Sequence, residues 1–95
     1  MAKGYWIVQV SVTNPEGYPN YVKAVTAVFE KLDARYLVRG GRHVVVEGSA
    51  LERHVVIEFE SYEQALACYH SPEYQAVAKI RQANADSQIV IVEGP

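Results

Sequence analysis

Apolar and polar residues alternate along several stretches of the chain, and this period of two is typical of β-strands. In the first stretch, Trp6, Val8, Val10 and Val12 fall on one face. In the last, both faces are apolar. The alternation predicts strands over residues 4–12 (GYWIVQVSV), 53–59 (RHVVIEF) and 88–92 (QIVIV).

A further strand pattern covers residues 34–48 (ARYLVRGGRHVVVEG), and Gly40 and Gly41 interrupt it. Both halves of this stretch predict strand. Paired glycines within a strand pattern indicate a bulge, a bend, or a point where another group approaches the backbone closely. Residues 48–52 are then expected to close a hairpin onto the strand that begins at Arg53.

Two helical regions lie between the strands. Apolar residues recur every three or four positions from about Pro19 to Leu32, which predicts an amphipathic helix after the turn TNPEG at residues 13–17. In the second region, Ser61 and Gln64 have the spacing of a capping box, with Ser61 as N-cap and Gln64 expected to accept from its backbone amide.

The second helical region is predicted to be broken in two. A short helix reaches about Tyr69, and Ser71-Pro72-Glu73 then begins a new helix that runs to about Ala83. Serine is a good N-cap, proline is tolerated at the first helical position, and glutamate favours the positive end of the helix dipole. A second possibility is that this helix N-terminus binds an anion, although Glu73 would repel one.

The element order β-α-β-β-α-β predicts one α+β domain over residues 1–95, with a ferredoxin-like antiparallel sheet and helices on one face. The first and last strands are apolar on both sides, whereas a sheet with one wet face should alternate cleanly. The helices cover one face only. We therefore expect a homodimer in which two sheets pack against each other.

The composition and charge of the chain argue against some classes of function and partner. The chain has 95 residues, 49% of them hydrophobic and 21% charged, and a net charge of −2. This charge argues against nucleic acid or an anionic membrane as a partner. No signal peptide or membrane span is predicted. The single cysteine, Cys68, excludes an intrachain disulfide and favours a cytoplasmic location.

Five short motifs together resemble the family described as domain of unknown function 1330. They are KGYWI at 3–7, LVRGG at 37–41, VVIEF at 55–59, YHSPEYQ at 69–75 and VEG at 92–94. The resemblance implies a dimeric α/β barrel, a fold shared with monooxygenases, muconolactone isomerases and haem-dependent enzymes. It implies no reaction, because fold does not fix function.

Cysteine and histidine stand close together in CYHSPEY, residues 68–74. A catalytic dyad would need the thiolate and the imidazole within hydrogen-bond reach. Cys68 and His70 lie two positions apart on a predicted helix, so their side chains diverge. We therefore interpret Cys68 as a buried core residue. The histidines at 43, 54 and 70 lack ligand-like spacing, and no metal or cofactor is predicted.

Glu58 lies within the apolar strand 53–59, where a carboxylate needs a partner or its pKa rises. Arg39 is the expected partner and Arg35 the alternative. Two interpretations stay open: a structural ion pair at the dimer interface, or a general base with Arg39 as an anion clamp.

The chain has seven tyrosines, and their hydroxyls could line a mostly apolar pocket between sheet and helices or simply reach the surface from the core. The leading hypothesis is a pocket for a small organic molecule, with an anion as one option, and with cofactor-independent acid–base chemistry if it is an enzyme. The alternative is a non-catalytic homodimer. Candidate catalytic residues are Glu58, Tyr69 and Arg39, and the candidate ligand-binding residues are Trp6, Tyr21, Arg39, Gly40, Glu58, Tyr69, Tyr74 and Arg81.

Overall fold

The fold is described from a computed structural model that covers residues 2–95. Its elements are β1 (Gly4–Val12), α1 (Tyr18–Lys31), β2 (Arg35–Arg39), β3 (Arg53–Phe59), α2 (Tyr62–His70), α3 (Pro72–Asn84) and β4 (Ala85–Glu93). The four strands form one antiparallel sheet in the order β2-β3-β1-β4. The predicted ferredoxin-like α+β fold is confirmed, and β4 is longer than the expected 88–92.

The three helices pack on one face of the sheet, and the core lies between them. Alternate residues of β1 and β3 point into this layer because successive side chains of a strand point to opposite faces. Trp6 is fully buried and pairs in register with Ile57 of β3. The largest side chains with almost no exposure are Trp6, Tyr74, Phe59, Val10 and Cys68.

The break between α2 and α3 is confirmed, and Ser71 makes it. Its backbone N–H donates to the carbonyl of Cys68 at the end of α2, at 3.2 Å. Its Oγ accepts from the N–H of Tyr74 at 3.1 Å, as an N-cap of α3, and donates to the same Cys68 carbonyl at 2.7 Å. One side chain thus satisfies backbone groups at the ends of both helices.

The capping box at the start of α2 forms with one difference. Ser61 Oγ accepts from the Gln64 N–H at 3.1 Å, as predicted. Gln64 Oε1, however, accepts from the N–H of Glu60 at 3.2 Å, one residue before the expected donor. Both contacts satisfy a free amide at the helix start.

The prediction of a strand in residues 42–48 is wrong. Residues 41–51, called the arm below, have no regular secondary structure, and residues 41–50 are all exposed. The physical reason is that β3, the next strand along the chain, already pairs with β2 on one side and with β1 on the other, so the arm cannot pair with it. The sheet irregularity lies within β2, between Tyr36 and Val38, rather than at the glycine pair.

The second face of the sheet, called the open face below, is covered by no helix and no strand among residues 2–95. Its strands nevertheless present apolar side chains there. Partly exposed apolar residues of this face are Ile7, Val38, Val90 and Val92.

Candidate functional site

A cavity lies between the sheet and α1, and it is partly open to solvent. Its volume is about 30 Å³, close to the share of liquid volume taken by one water molecule. Most of its wall is apolar or aromatic, and three arginines complete it. The lining residues are Trp6, Val8, Val10, Tyr18, Tyr21, Val22, Val25, Phe29, Tyr36, Arg39, Arg53, Val55, Ile57, Arg81 and Ile89.

Trp6 holds the aromatic wall in place. Its Nε1–H donates to the backbone carbonyl of Ala65 on α2 at 2.9 Å. Its ring meets the ring of Tyr74 edge-on, with centroids 4.9 Å apart, and that of Phe29 at 5.4 Å. Edge-to-face packing of this kind, added to burial, gives the wall a fixed shape.

Arg81 brings a positive charge into the interior, because only 5% of its surface is exposed. Its Nη1 donates to Ser87 Oγ, and its guanidinium lies 5.9 Å from the centre of the Tyr21 ring. Its Nε is buried and has no hydrogen-bond partner. A buried N–H without an acceptor costs free energy, and an acceptor brought to this atom would offset that cost.

Two more arginines line the cavity from β2 and β3. The Arg53 Nε is also buried without a partner. Arg39 extends over the Tyr36 ring, with Cζ 4.5 Å from its centre, which is cation–π geometry. The lining contains no Asp, Glu or His. The cavity is therefore rich in N–H donors and has no acidic side chain to neutralise them.

Two tyrosine hydroxyls meet beside the cavity. The Tyr21 and Tyr74 oxygens are 2.8 Å apart and share a hydrogen bond. Burial raises the pKa of both phenols, and the neighbouring Tyr74 adds to the effect on Tyr21. Both groups therefore stay protonated at neutral pH, where they can donate a hydrogen bond but cannot act as bases.

Glu58 lies on the open face, on the other side of the sheet from the cavity. It receives a hydrogen bond from the Tyr5 hydroxyl at 3.1 Å, and the Nε of Arg35 is 3.8 Å from its second oxygen. Arg35 pairs with Glu58 in register, whereas Arg39 pairs with Val55 on the cavity side. The prediction that Arg39 is the partner of Glu58 is thus wrong, and the alternative partner, Arg35, makes the contact.

The remaining candidates lie around the cavity. Four of them line it: Trp6, Tyr21, Arg39 and Arg81. Tyr74 does not line it, but its hydroxyl shares a hydrogen bond with the hydroxyl of Tyr21. Tyr69 does not line it but packs its ring 5.8 Å from that of Trp6. The Arg53 guanidinium packs against the backbone of Gly40, because a Cβ at this position would collide with Arg53 Nη1. The glycine is therefore a point of close approach.

Sequence reasoning missed Arg53, Tyr18 and Tyr36. Arg53 could have been found, because it is in phase with the buried Val55 and Ile57 on the same strand. Tyr36 pairs with Ile57 across the sheet and so shares its face. Tyr18, at the first position of α1, is in phase with Tyr21 and Val25 in the apolar pattern of the helix, and this signal could have placed it at the cavity.

The CYHSPEY segment holds no reactive pair. Burial raises the pKa of the Cys68 thiol to about 12, and Glu73 adds to this, so the thiol is not ionised at neutral pH. Glu73 at the start of α3 forms an ion pair with Lys31 at 2.8 Å. Within residues 2–95, no three His, Cys, Asp or Glu side chains group as metal ligands would.

The chain belongs to the family described as domain of unknown function 1330, whose sequence profile matches residues 3–95. The resemblance noted from the five motifs is thereby confirmed. No curated protein matches the sequence.

Solved structures share the fold at low identity. A protein of unknown function from Rhodopseudomonas palustris is 20% identical with a TM-score of 0.78, and the match covers 99% of this chain and 82% of that one. SnoaB, a cofactor-independent oxygenase from Streptomyces nogalater, is 12% identical with a TM-score of 0.63, over 97% of this chain and 92% of that one.

A dimeric ferredoxin-like protein of unknown function from Thermobifida fusca is 12% identical with a TM-score of 0.64, over 96% of this chain and 90% of that one. At these identities the likeness extends to the fold alone. No helix within residues 2–95 has both the length and the apolar character that crossing a membrane requires.

Proposed function

We propose that this protein binds a small organic anion, with a carboxylate or similar head group, in the cavity between the sheet and α1. The observation that carries the proposal is the buried Arg81 with its unpartnered Nε. Arg39 and Arg53 add two cations, and no acidic side chain lines the cavity. An anion would satisfy these donors and offset the cost of burying positive charge.

The size of the cavity limits what the enclosed part can hold. About 30 Å³ accommodates a head group rather than a whole metabolite. The apolar and aromatic wall favours a hydrophobic body attached to that head group. A benzoate-like molecule would place its carboxylate among the arginines and its ring against the tyrosines, with side chains of α1 moving to admit it.

A chemical step at this site stays a prediction. The Streptomyces protein of the same fold is a cofactor-independent oxygenase, and the cavity here offers tyrosine hydroxyls as proton donors. It offers no carboxylate or imidazole as a base, since Glu58 lies on the other face. Binding is therefore the function that this geometry supports best.

The test is a titration with benzoate, with benzyl alcohol as a neutral molecule of similar size, followed by NMR of ¹⁵N-labelled arginine side chains. We expect saturable shifts of the Arg81 and Arg53 Nε–H signals with benzoate only. Shifts with neither molecule, or equal shifts with both, would contradict an anion site.

A matched pair of variants on β2 gives the control. Arg39 and Arg35 are both exposed, but Arg39 lines the cavity and Arg35 contacts Glu58 on the open face. Arg39→Gln should weaken benzoate binding by about 10-fold, as expected for one charge-assisted hydrogen bond. Arg35→Gln should leave the affinity unchanged.

We also propose that the protein is a homodimer joined through the open face. This arrangement is favoured by the apolar side chains of Ile7, Val38, Val90 and Val92 on a face that no helix covers. The Thermobifida protein of the same fold is dimeric. Light scattering at micromolar concentration should give the mass of two chains, and a monomer would refute this proposal.

A purely structural role, as a non-catalytic homodimer, is the alternative function if benzoate fails to bind. A cytoplasmic location stays a prediction.

A further inference from the structure

The arm carries a strand-forming sequence that forms no strand pairing within residues 2–95. Residues 42–48 read RHVVVEG, and valine is among the residues most favoured in strands. Val44 is 79% exposed and Val46 88%, which leaves two large apolar surfaces in water. An unpaired, extended apolar segment has its N–H and C=O groups free to pair with another strand.

The arm leaves the sheet on the side of the open face. Gly40 keeps the last β2–β3 hydrogen bond, with its N–H donating to the His54 carbonyl at 2.8 Å, and has a φ of 66°. The His43 ring then lies 4.5 Å from the ring of His54, a residue in phase with Glu58. Positive φ at Gly40 turns the chain out of the line of β2, a conformation that suits glycine.

The far end of the arm is also anchored on that side. The Leu51 N–H donates to the side-chain oxygen of Gln9 at 3.0 Å, and Gln9 pairs in register with His54. Gly48, with a φ of 76°, provides the second bend. Both ends of the arm are thus attached beside the surface where the second sheet of the proposed homodimer would sit.

Two strand edges of the sheet are free, and they differ. β2 is five residues long and contains the irregularity between Tyr36 and Val38, and such bulges protect an edge from pairing. β4 is nine residues long, pairs only with β1, and has a continuous register from Ala85 to Glu93. Its segment 88–92 (QIVIV) is apolar on both faces. β4 is therefore the edge that accepts another strand.

We propose that residues 42–48 of one copy add as a strand to the free edge of β4 in a second copy of this chain. This proposal rests on the homodimer proposed above, and in a two-fold dimer each arm would make the same contact. Seven residues of strand span about 23 Å, within the roughly 30 Å of a nine-residue strand. The backbone pairs as in β-strand addition, and the arm valines lose their contact with water.

The test uses a dimer in which one chain is isotopically labelled and the other is not. Intermolecular NOEs should link the methyl groups of the arm valines to residues 88–92 of the other chain, and arm amides should be protected from hydrogen exchange. If the dimer persists but the arm valines show NOEs to Leu37 or Val38 of the other chain, or show no intermolecular NOEs, the arm contact is overturned and the homodimer proposal stands. A monomer would overturn both proposals.

Two variants at Val45 separate backbone pairing from side-chain effects. Val45→Pro removes one N–H and should weaken the dimer by about 10-fold while abolishing protection of the neighbouring arm amides. Val45→Thr keeps the N–H and the β-branched shape and should change dimer affinity by less than about 3-fold. The arm is exposed, so circular dichroism should show both chains folded. Equal affinities for the two variants would contradict strand addition.

Discussion

Arg81 is the residue whose position is hardest to explain by stability alone. A buried guanidinium costs free energy unless its N–H groups meet acceptors, and here Ser87 and the Tyr21 ring supply only part of what is needed. The unpartnered Nε leaves one strong donor facing no acceptor. A site that keeps such a donor is one that a ligand can complete, which is why the proposed anion site centres on this residue.

A second prediction at this scale concerns Cys68 and pH. The thiol has a pKa of about 12 in the folded protein, against 9.0 for an unperturbed thiol. The unfolded chain therefore loses this proton first, and the stability that burial contributes is present below pH 9 and is lost as pH rises towards 12. At pH 10 the loss from this group should be on the order of 1 kcal/mol.

Guanidinium unfolding at pH 8 and pH 10 checks this, with Cys68→Ala as the control. The variant lacks the thiol but keeps every tyrosine, so the free energy of unfolding of the wild type should fall by roughly 1 kcal/mol more than that of the variant. Parallel pH dependence in the two proteins would contradict a protonated thiol.

The arginine positions show the limit of sequence reasoning for single residues. Arg35 and Arg39 are four apart, so a regular strand would place both on the same face. The irregularity between Tyr36 and Val38 shifts the phase, leaving Arg35 opposite Glu58 and Arg39 opposite Val55. One extra residue reverses the face of all that follows, and no local pattern announced it.

At the scale of elements, the break between α2 and α3 was predictable because its causes are local. A serine followed by proline has the same capping preference in any context, and Ser71 makes the predicted contact with the Tyr74 N–H. The arm was not predictable, because its valines have strand propensity but strand formation also needs a neighbouring edge. Both edges of β3, the next strand along the chain, are already taken by β1 and β2.

Ser71→Ala tests the cap. The substitution removes the acceptor for the Tyr74 N–H and the donor to the Cys68 carbonyl, and should lower the free energy of unfolding by about 1–2 kcal/mol. Urea denaturation measures this change. Ser49→Ala, in the exposed arm, should alter stability by less than about 0.5 kcal/mol. Equal effects at the two positions would mean that the helix break does not depend on the serine.

At the scale of the whole molecule, the two properties proposed for this protein fall on opposite faces of the sheet. The helix side holds the core and the arginine-lined cavity. The open face holds the Tyr5–Glu58–Arg35 group and a set of apolar side chains. The proposed ligand binding and the proposed assembly should therefore be separable, and a variant on one face should leave the property of the other unchanged.

Val90→Asp tests assembly. Val90 is 59% exposed in the single chain, so the change should not unfold it, but in the dimer it would bury a carboxylate from each copy. That cost should raise the dimer dissociation constant by at least about 100-fold, as measured by sedimentation equilibrium. Lys79→Gln, exposed on α3, changes the charge by the same amount and should leave the dimer intact. A dimer that tolerates Asp at position 90 would place the interface elsewhere.

The sequence by itself determined the element order, the helix break and the apolar open face, because period, capping and turn chemistry act between residues close in the chain. Only the tertiary structure decided that Arg39 faces the cavity whereas Arg35 contacts Glu58. These outcomes depend on the phase of β2 after its irregularity and on which strand edges remain free. Both are set by pairings between residues distant in sequence, which no local pattern encodes.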